Sequence, residues 1–439
     1  MWPLKRQKSR FRVRKFRKSE AHLNRAELTI PLGSQTFSKS RTQYPVGISP
    51  LFIKKAKGCH VWDLDGNKYI DLVSALASVT LGYGDSRVNT AVRKQLKRGV
   101  SFSLPGTLEA EVAEMICHLV PSAEMVRFGK NATDVTTAAV RLARAYTGKD
   151  RVVVCGYHGW QDWFIGSTSR NKGVPKATSD LTEVFKYNDL ESLRKILSEK
   201  NDVACVVMEP MNSSFPNPGF LEGVRELTKN HGVVLVFDET ITGFRFSEGG
   251  AQELFNVIPD ISTFGKGIAN GFPLSVISGK REIMMEMEEI FFSGTFGGEL
   301  LSLAAAKSVL ELHINREVIS QLEQIGLDLQ NRVNSAVSQT DTQELLSLSG
   351  HPTWIFLNWR EIDGYSADLL KTYFMQEMFQ KGILILGTHN VNLAHTQRNL
   401  EKIEESYLSV LSSISNGIKQ GDLQSKLKVA PLRPLFKVR

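Results

Sequence analysis

A chain of 439 residues with 42% hydrophobic and 9% aromatic content is long enough to bury a large core spread over two or three domains. Its formal net charge of +8 is a local property: residues 1–19 carry Lys5, Arg6, Lys8, Arg10, Arg12, Arg14, Lys15, Arg17 and Lys18 and no acid. Without these nine the remaining 45 basic residues face 46 acidic ones, so the body is neutral and is not marked as a nucleic-acid surface. The arm reads as a disordered extension or as a contact for an anionic partner. Its arginines also suit a mitochondrial transit segment, although serines are scarce. The longest apolar runs, VACVVM and VVLVF, are strand-sized, short of the roughly 18 residues of a membrane span, and no apolar segment follows the basic N-terminus as in a signal peptide. Cys59, Cys117, Cys155 and Cys205 are scattered without CxxC spacing, which predicts free thiols in a reducing cytoplasm and no metal site.

From Glu20 a short helical pattern leads into the polar loop PLGSQTFSKSRTQYP. HVWDL and KYIDL are strand-like, and Asp65-Gly66 between them predicts a hairpin. The Gly-rich LGYGD then precedes amphipathic helices over about Ser86–Lys97 and Thr107–Leu119. From residue 126 strands and helices alternate. In VRFGKNATDVTTAAVRLARAYTG, residues Val135, Ala138, Ala139, Leu142, Ala143 and Tyr146 fall on one helical face, with Asn131 or Thr133 as N-cap and Gly148 as C-cap. Strands follow at RVVVCG, EVFKY, DVACVVMEP, VVLVFD, DIST and PLSVISG, with helices at DLESLRKILSE, FLEGVRELTKNHG and GELLSLAAAKSVLELH. This predicts an α/β protein with a mostly parallel, doubly covered sheet. After Glu317 a helix, TWIFLNW, a further helix, GILIL and a last helix predict a smaller α+β unit.

Four features carry chemistry. GKNATD opens a helix after a strand, so its free amides and the helix dipole suit a phosphate, although any polar loop before a helix looks similar. Tyr157, in the loop after RVVVCG, is placed to stack on a flat ring or is an ordinary loop tyrosine. His158 beside it is given no role. Asp238 closes an apolar strand, either paired or hydrogen-bonded there or acting as a turn residue. Lys266 sits between glycines after DIST; a nucleophilic amine needs a desolvated setting of that kind. An amine and a carboxylate at the ends of neighbouring parallel strands face one crevice. They are the pair that pyridoxal phosphate uses, the amine for its aldehyde and the carboxylate for its ring nitrogen.

Taken together, WDLDGNKYIDL, RFGKNATDVTTAAVRLARAYTG, GYHGW, VFDETITGFR, FGKGIANGFPLS, SGTFGGELLSLAAA and LAHT resemble the class III, fold-type I pyridoxal-phosphate aminotransferases, and among them the glutamate-1-semialdehyde 2,1-aminomutase branch. The resemblance runs from about Glu20 to the C-terminus. It implies a large domain with a mostly parallel seven-stranded sheet between helices, over residues 85–316. A smaller α+β domain over 317–439 is joined by a segment, 20–84, that carries the hairpin and the substrate entrance, and residues 1–19 form a disordered arm. It further implies that Lys266 forms the Schiff base and moves the proton, that Asp238 pairs with the ring nitrogen, and that Tyr157 and Ile241 pack on its two faces. Asn131, Ala132 and Thr133 bind the phosphate, and Thr295 reaches the phosphate of a neighbouring subunit, which makes the protein a homodimer.

The chain departs from the family in the phosphate cradle, where Ala132 stands for the usual glycine and Val135 for a usual small residue, both tolerable because backbone amides make the contacts. It departs more so on the substrate side, where Leu76 stands for the aminomutases' tryptophan. Lys39 or Arg41 lies near the position of a carboxylate-gripping arginine. The expectation is therefore an aminotransferase that moves an amino group from an amino-acid donor to a keto or aldehyde acceptor by a ping-pong mechanism. The alternative is an intramolecular aminomutase. A binding protein on a retired scaffold is a third reading, against which the presence of both Lys266 and Asp238 speaks.

Overall fold

Alternating strands and helices from residue 125 to residue 279 build the element that positions everything else. The computed structural model describes residues 13–362 and 364–433. Its strands are β1 (Ile53–Lys57), β2 (His60–Asp63), β3 (Lys68–Asp71), β4 (Met125–Gly129), β5 (Arg151–Cys155), β6 (Thr182–Val184) and β7 (Val203–Met208). They continue with β8 (Val234–Asp238), β9 (Ile261–Phe264), β10 (Ser275–Gly279), β11 (Leu346–His351), β12 (Trp354–Trp359), β13 (Ile383–Leu384) and β14 (Thr388–Asn390). Seven of them form one sheet in the order β4-β10-β9-β8-β7-β5-β6. Only β10 runs antiparallel to its neighbours. This is the mostly parallel seven-stranded sheet between helices that the resemblance implies.

The two faces of the sheet follow from the strand period of two. Val152, Val154, Cys205, Val207, Val234 and Val236 face the helix Ala132–Thr147. The alternate residues Val153, Val206, Leu235 and Phe237 face the helices Leu190–Glu199 and Phe220–Asn230. Both faces are apolar, so these strands read as continuous hydrophobic runs. The helix at Ala132 starts as its sequence predicts: Asp134 accepts from the Asn131 N–H (2.8 Å) and the Lys130 N–H (3.1 Å). It ends at Gly148, whose φ of 65° supplies the left-handed cap.

The two ends of the chain meet in a second sheet of order β1-β2-β3-β13, with β13 pairing parallel to β3. The expected hairpin is β2–β3, turning through Gly66 at φ 85°. β11, β12 and β14 form a third, antiparallel sheet. β1, β11 and β14 were not expected from the sequence: IKKAK lacks an apolar alternation, LSLSGH alternates over only four residues, and THN spans only three.

The basic arm was expected to be disordered to residue 19, and its last part is structured. Arg14 donates to the Gln380 and Lys68 carbonyl oxygens, and a helix begins at Arg17 with Asp65 accepting from the Lys18 and Ser19 N–H groups. Residues 1–12 of the arm lie outside the described residues. Among the described residues no helix is long and apolar enough to cross a membrane.

Candidate active site

Four adjacent parallel strands, β5, β7, β8 and β9, end at one edge of the sheet, and each ends on or just before residues of chemical interest: Tyr157 and His158, Glu209, Asp238 and Lys266. The carboxyl edge of a parallel sheet is where such folds bind ligands.

Asp238 is 5% exposed at the end of β8. One oxygen accepts from the Thr240 N–H (3.1 Å) and from the Thr240 and Thr263 hydroxyls. The other lies 2.8 Å from His158 Nδ1. Burial alone would push this carboxyl up, but the hydrogen bond and charge of His158, with the Thr240 bonds, hold it below its ordinary value. Asp238 is therefore an ionised carboxylate at neutral pH, suited to keep a proton on a heteroaromatic nitrogen. His158 Nε2 lies 3.1 Å from the Cys155 carbonyl oxygen, which can only accept. Both ring nitrogens therefore face oxygen acceptors, Nε2 the Cys155 carbonyl and Nδ1 the Asp238 carboxylate. His158 thus anchors Asp238, a role that a loop histidine in the sequence gave no sign of.

Lys266 opens the turn after β9 in a left-handed conformation (φ 42°). Burial first, with the nearby Arg245 cation, pulls its amine down to about 8, against the opposing influence of Glu209 and Asp238. A substantial fraction is then neutral and nucleophilic near pH 7.5, as an amine that captures aldehydes requires. The turn is closed by Asn270, also left-handed at φ 45°. Its side-chain oxygen accepts from the Thr80 and Leu81 N–H groups, both at 3.0 Å.

The loop over the helix N-terminus is drawn in tightly. A Cβ on Gly159 would lie 2.5 Å from Thr133 Oγ1, and the Trp160 N–H donates to the same oxygen (3.4 Å). Asn131, Ala132 and Thr133 stand at the start of the 16-residue helix, where first-turn amides lack intrahelical partners. Tyr157 is 48% exposed, packs edge-on against Phe164, and its N–H donates to Glu209 (3.1 Å). Burial, then Asp238 and Glu209, push its phenol upward, which puts it within electrostatic reach of both carboxylates. Ile241 packs toward Met211, Phe246 and Trp354.

Glu209 and Arg245 were missed in the sequence. Glu209 follows an apolar strand just as Asp238 does, so VVMEP carried the same signal. It is buried, accepts from the Asn212 amide (2.6 Å), and is pushed up by that burial. Arg245 is 1% exposed and donates to the carbonyls of Thr353 (2.8 Å), Val391 (3.3 Å) and Ala77 (3.3 Å). Nothing in TGFRF distinguishes it from a surface arginine.

Three residues lie apart from this cluster. Thr295 is exposed and lines a cavity with Lys130, Asp134 and Arg141 on the outer side of the same helix start. Lys39 and Leu76 are brought together in another cavity, beyond the turn Ser74–Ala77.

An ionised carboxylate, a buried amine of lowered pKa, a helix N-terminus closed by a loop and an aromatic residue make a donor set that fits pyridoxal phosphate, with Lys266, Asp238, Asn131 to Thr133 and Tyr157 as the residues placed to hold it. The model of the family described as Aminotransferase class-III matches residues 43–406. A glutamate-1-semialdehyde 2,1-aminomutase of Pelotomaculum thermopropionicum is 35% identical over 391 residues, covering 82% of this chain and 90% of that protein. Similar solved structures include the internal aldimine form of a Sphingopyxis FumI protein (TM-score 0.84, 24% identity, 91% of this chain and 97% of that one). Another is a glutamate-1-semialdehyde aminomutase of Pseudomonas aeruginosa in complex with PMP (TM-score 0.79, 23% identity, 90% and 94% covered). An omega-transaminase of Sphaerobacter thermophilus is similar to the same degree (TM-score 0.81, 23% identity, 91% and 98% covered).

Proposed function

The chain belongs to the class III aminotransferases, which use pyridoxal phosphate, and from that premise we propose that it moves an amino group from an amino-acid donor to a keto or aldehyde acceptor in two halves. The donor leaves as an oxo acid after giving up its amine, and the acceptor carbonyl then takes that amine. The observation that carries the reading is the pairing of Lys266, its amine lowered to about 8, with Asp238, held ionised by His158. Bound pyridoxal phosphate supplies an aldehyde that captures amines and a protonated ring that draws electrons from the substrate carbon. Asp238 keeps the proton on the ring nitrogen. Lys266 would hold the cofactor through its amine and, when that amine is free, would take the proton from the substrate carbon. Tyr157 and Ile241 would confine the ring, and the helix start Asn131 to Thr133 would take the phosphate through the Ala132 and Thr133 N–H groups, since that of Asn131 is held by Asp134.

The working unit is a homodimer. Phe102 and Leu104 are 55% and 78% exposed, and Phe291 and Phe296 are 80% and 60% exposed. The two stretches are joined by the Leu300 N–H to Val100 carbonyl bond (2.9 Å), so apolar surface collects beside Thr295, which reaches a neighbour's phosphate from there. Residues 85–316 form the cofactor domain. Residues 20–84 and 317–439 form the smaller part, a division supported by the pairing of β3 with β13. Four free cysteines, three of them buried, support a cytoplasmic setting.

A second reading, intramolecular amino transfer, is favoured by the 35% identity to an aminomutase. Purified holoenzyme incubated with single amino-acid donors decides between them. Bleaching of the visible cofactor band and its return on adding a separate carbonyl acceptor supports transfer between molecules. Turnover of glutamate 1-semialdehyde alone, with no response to any donor, makes it an aminomutase.

A further inference from the structure

The positive charge of the chain is concentrated in two segments far apart in sequence. Residues 423–439 carry Lys426, Lys428, Arg433, Lys437 and Arg439 and no acid, as residues 1–19 do on a larger scale. Without these fourteen cations, 40 basic residues face 46 acidic ones, so the rest of the molecule is net negative. Charge segregated in this way makes one surface only if the fold brings the two segments together.

The fold does so on one helix, Ala367–Lys381. Gln380 takes the first segment: its side-chain oxygen accepts from the Arg14 N–H (2.9 Å) and its carbonyl from the Arg14 guanidinium. Gln376, four residues earlier and so on the same helical face, takes the second. Its side-chain oxygen accepts from the Lys428 N–H (2.9 Å), and its amide donates to the Lys426 carbonyl (3.1 Å). Gln376 is 1% exposed, so the clasp belongs to the core and holds its segment firmly. One turn further, the Thr372 hydroxyl accepts from the Leu432 N–H (2.8 Å). Between the two segments lies a cavity of ≈ 340 Å³ lined by Arg14, Lys15, Arg17 and Lys428, with Glu20 as the single acid among its described lining residues. Lys15, Arg17 and Lys428 are exposed and, among the described residues, form no ion pair.

The apolar groups of this face point inward: Phe16 is 3% and Ile48 1% exposed, which leaves Val13 at 68%. A membrane surface is held by cations together with inserted apolar groups, and the described face offers mainly the cations. Unpaired cations on two neighbouring segments, with a net negative remainder that repels polyanions elsewhere, match a chain of phosphates. We propose that this face binds the phosphodiester backbone of a nucleic acid without reading its sequence, one phosphate seating between Lys15, Arg17 and Lys428. The cations of residues 1–12 and 434–439 lie outside the described residues, and the seat needs none of them. The contact is independent of amino transfer.

The test is fluorescence anisotropy of the full chain, as holoenzyme, with a labelled single-stranded RNA of about 20 nucleotides and with DNA of the same sequence. Affinity should fall with salt along a log–log slope of about −3, the counterion release expected of about four phosphate contacts. RNA and DNA should bind within about threefold of one another, since phosphate contacts carry no base information. Lys428→Gln, and separately Lys15→Gln with Arg17→Gln, should each weaken binding at least about threefold at low salt and flatten the slope by about 0.7 per cation removed. The cofactor band and its bleaching by amino donors should stay as in the wild type, which shows that the variants fold. No binding at low salt, a wider preference between RNA and DNA, or a slope that Lys428→Gln leaves untouched overturns the inference. So does a protein that sediments with phosphatidylserine-containing vesicles and leaves both nucleic acids free, which assigns the face to a membrane.

Discussion

Lys266 carries a cost in the cofactor-free protein that its chemistry explains. Its amine sits near 8 instead of the usual 10.5, so burial penalises the charged form. The penalty is full below pH 8 and is lifted as pH rises toward 10.5. Lys266→Met should therefore stabilise the cofactor-free protein at pH 7 by roughly 2–3 kcal/mol, measured by urea unfolding, while cutting transamination by at least about 1000-fold. The uptake rate of pyridoxal phosphate by the wild-type protein should climb through pH 8 and then level off. A rate that falls over that interval contradicts the assignment of the amine. Asp238 has the opposite sign: it contributes stability above its ordinary value of 3.8 that is lost as pH falls through its lower folded value. Truncating one partner of a buried charged pair costs roughly 3 kcal/mol. His158→Leu should thus weaken retention of pyridoxal phosphate on the order of 100-fold in equilibrium dialysis, and His158→Gln, which keeps a donor toward Asp238, should recover part of it. Equal retention in all three proteins would leave His158 a packing residue.

At the scale of elements, the turn Ser74–Ala77 is the most informative, its four residues all left-handed at φ between 46° and 67°. Left-handed backbone costs a residue with a Cβ about 1 kcal/mol or more, so Ala75→Gly should raise stability by about 0.5–1 kcal/mol, where the same change in a right-handed helix would lower it. A thermal midpoint that drops would show that the turn is not left-handed in solution. SALASVTLG gives no hint of this geometry, because the turn is imposed from a distance by Asn390, Asn392 and Arg245. The strands of the large sheet were legible for the opposite reason. β7 and β8 are buried on both faces, and VACVVM and VVLVF state that in their composition. The helix at Ala132 was legible at both ends, since its caps are local: Asp134 reaches back three and four residues and Gly148 follows directly. What escaped was nonlocal or polar. β1 is mostly exposed, β14 exists only because β12 lies beside it, and His158 and Arg245 acquire meaning from Asp238 and from carbonyls more than 100 residues away.

For the whole molecule, the sheet order explains why residues spread from Asn131 to Lys266 meet at one edge, and why residues 37–76 and 388–392 come to border it. Exposed Leu104 and Phe291 fit a surface covered by a second copy. If Thr295 serves a neighbour's site as proposed, Leu104→Asp with Phe291→Asp should shift sedimentation from dimer to monomer and lower activity at least about tenfold. A double variant that stays dimeric, or a fully active monomer, would contradict the shared site. Lys266 as the attachment point of pyridoxal phosphate is tested most directly by borohydride reduction of the holoenzyme followed by peptide mass mapping: a phosphopyridoxyl group is expected on Lys266, and a group on another lysine, or none at all, would contradict that assignment.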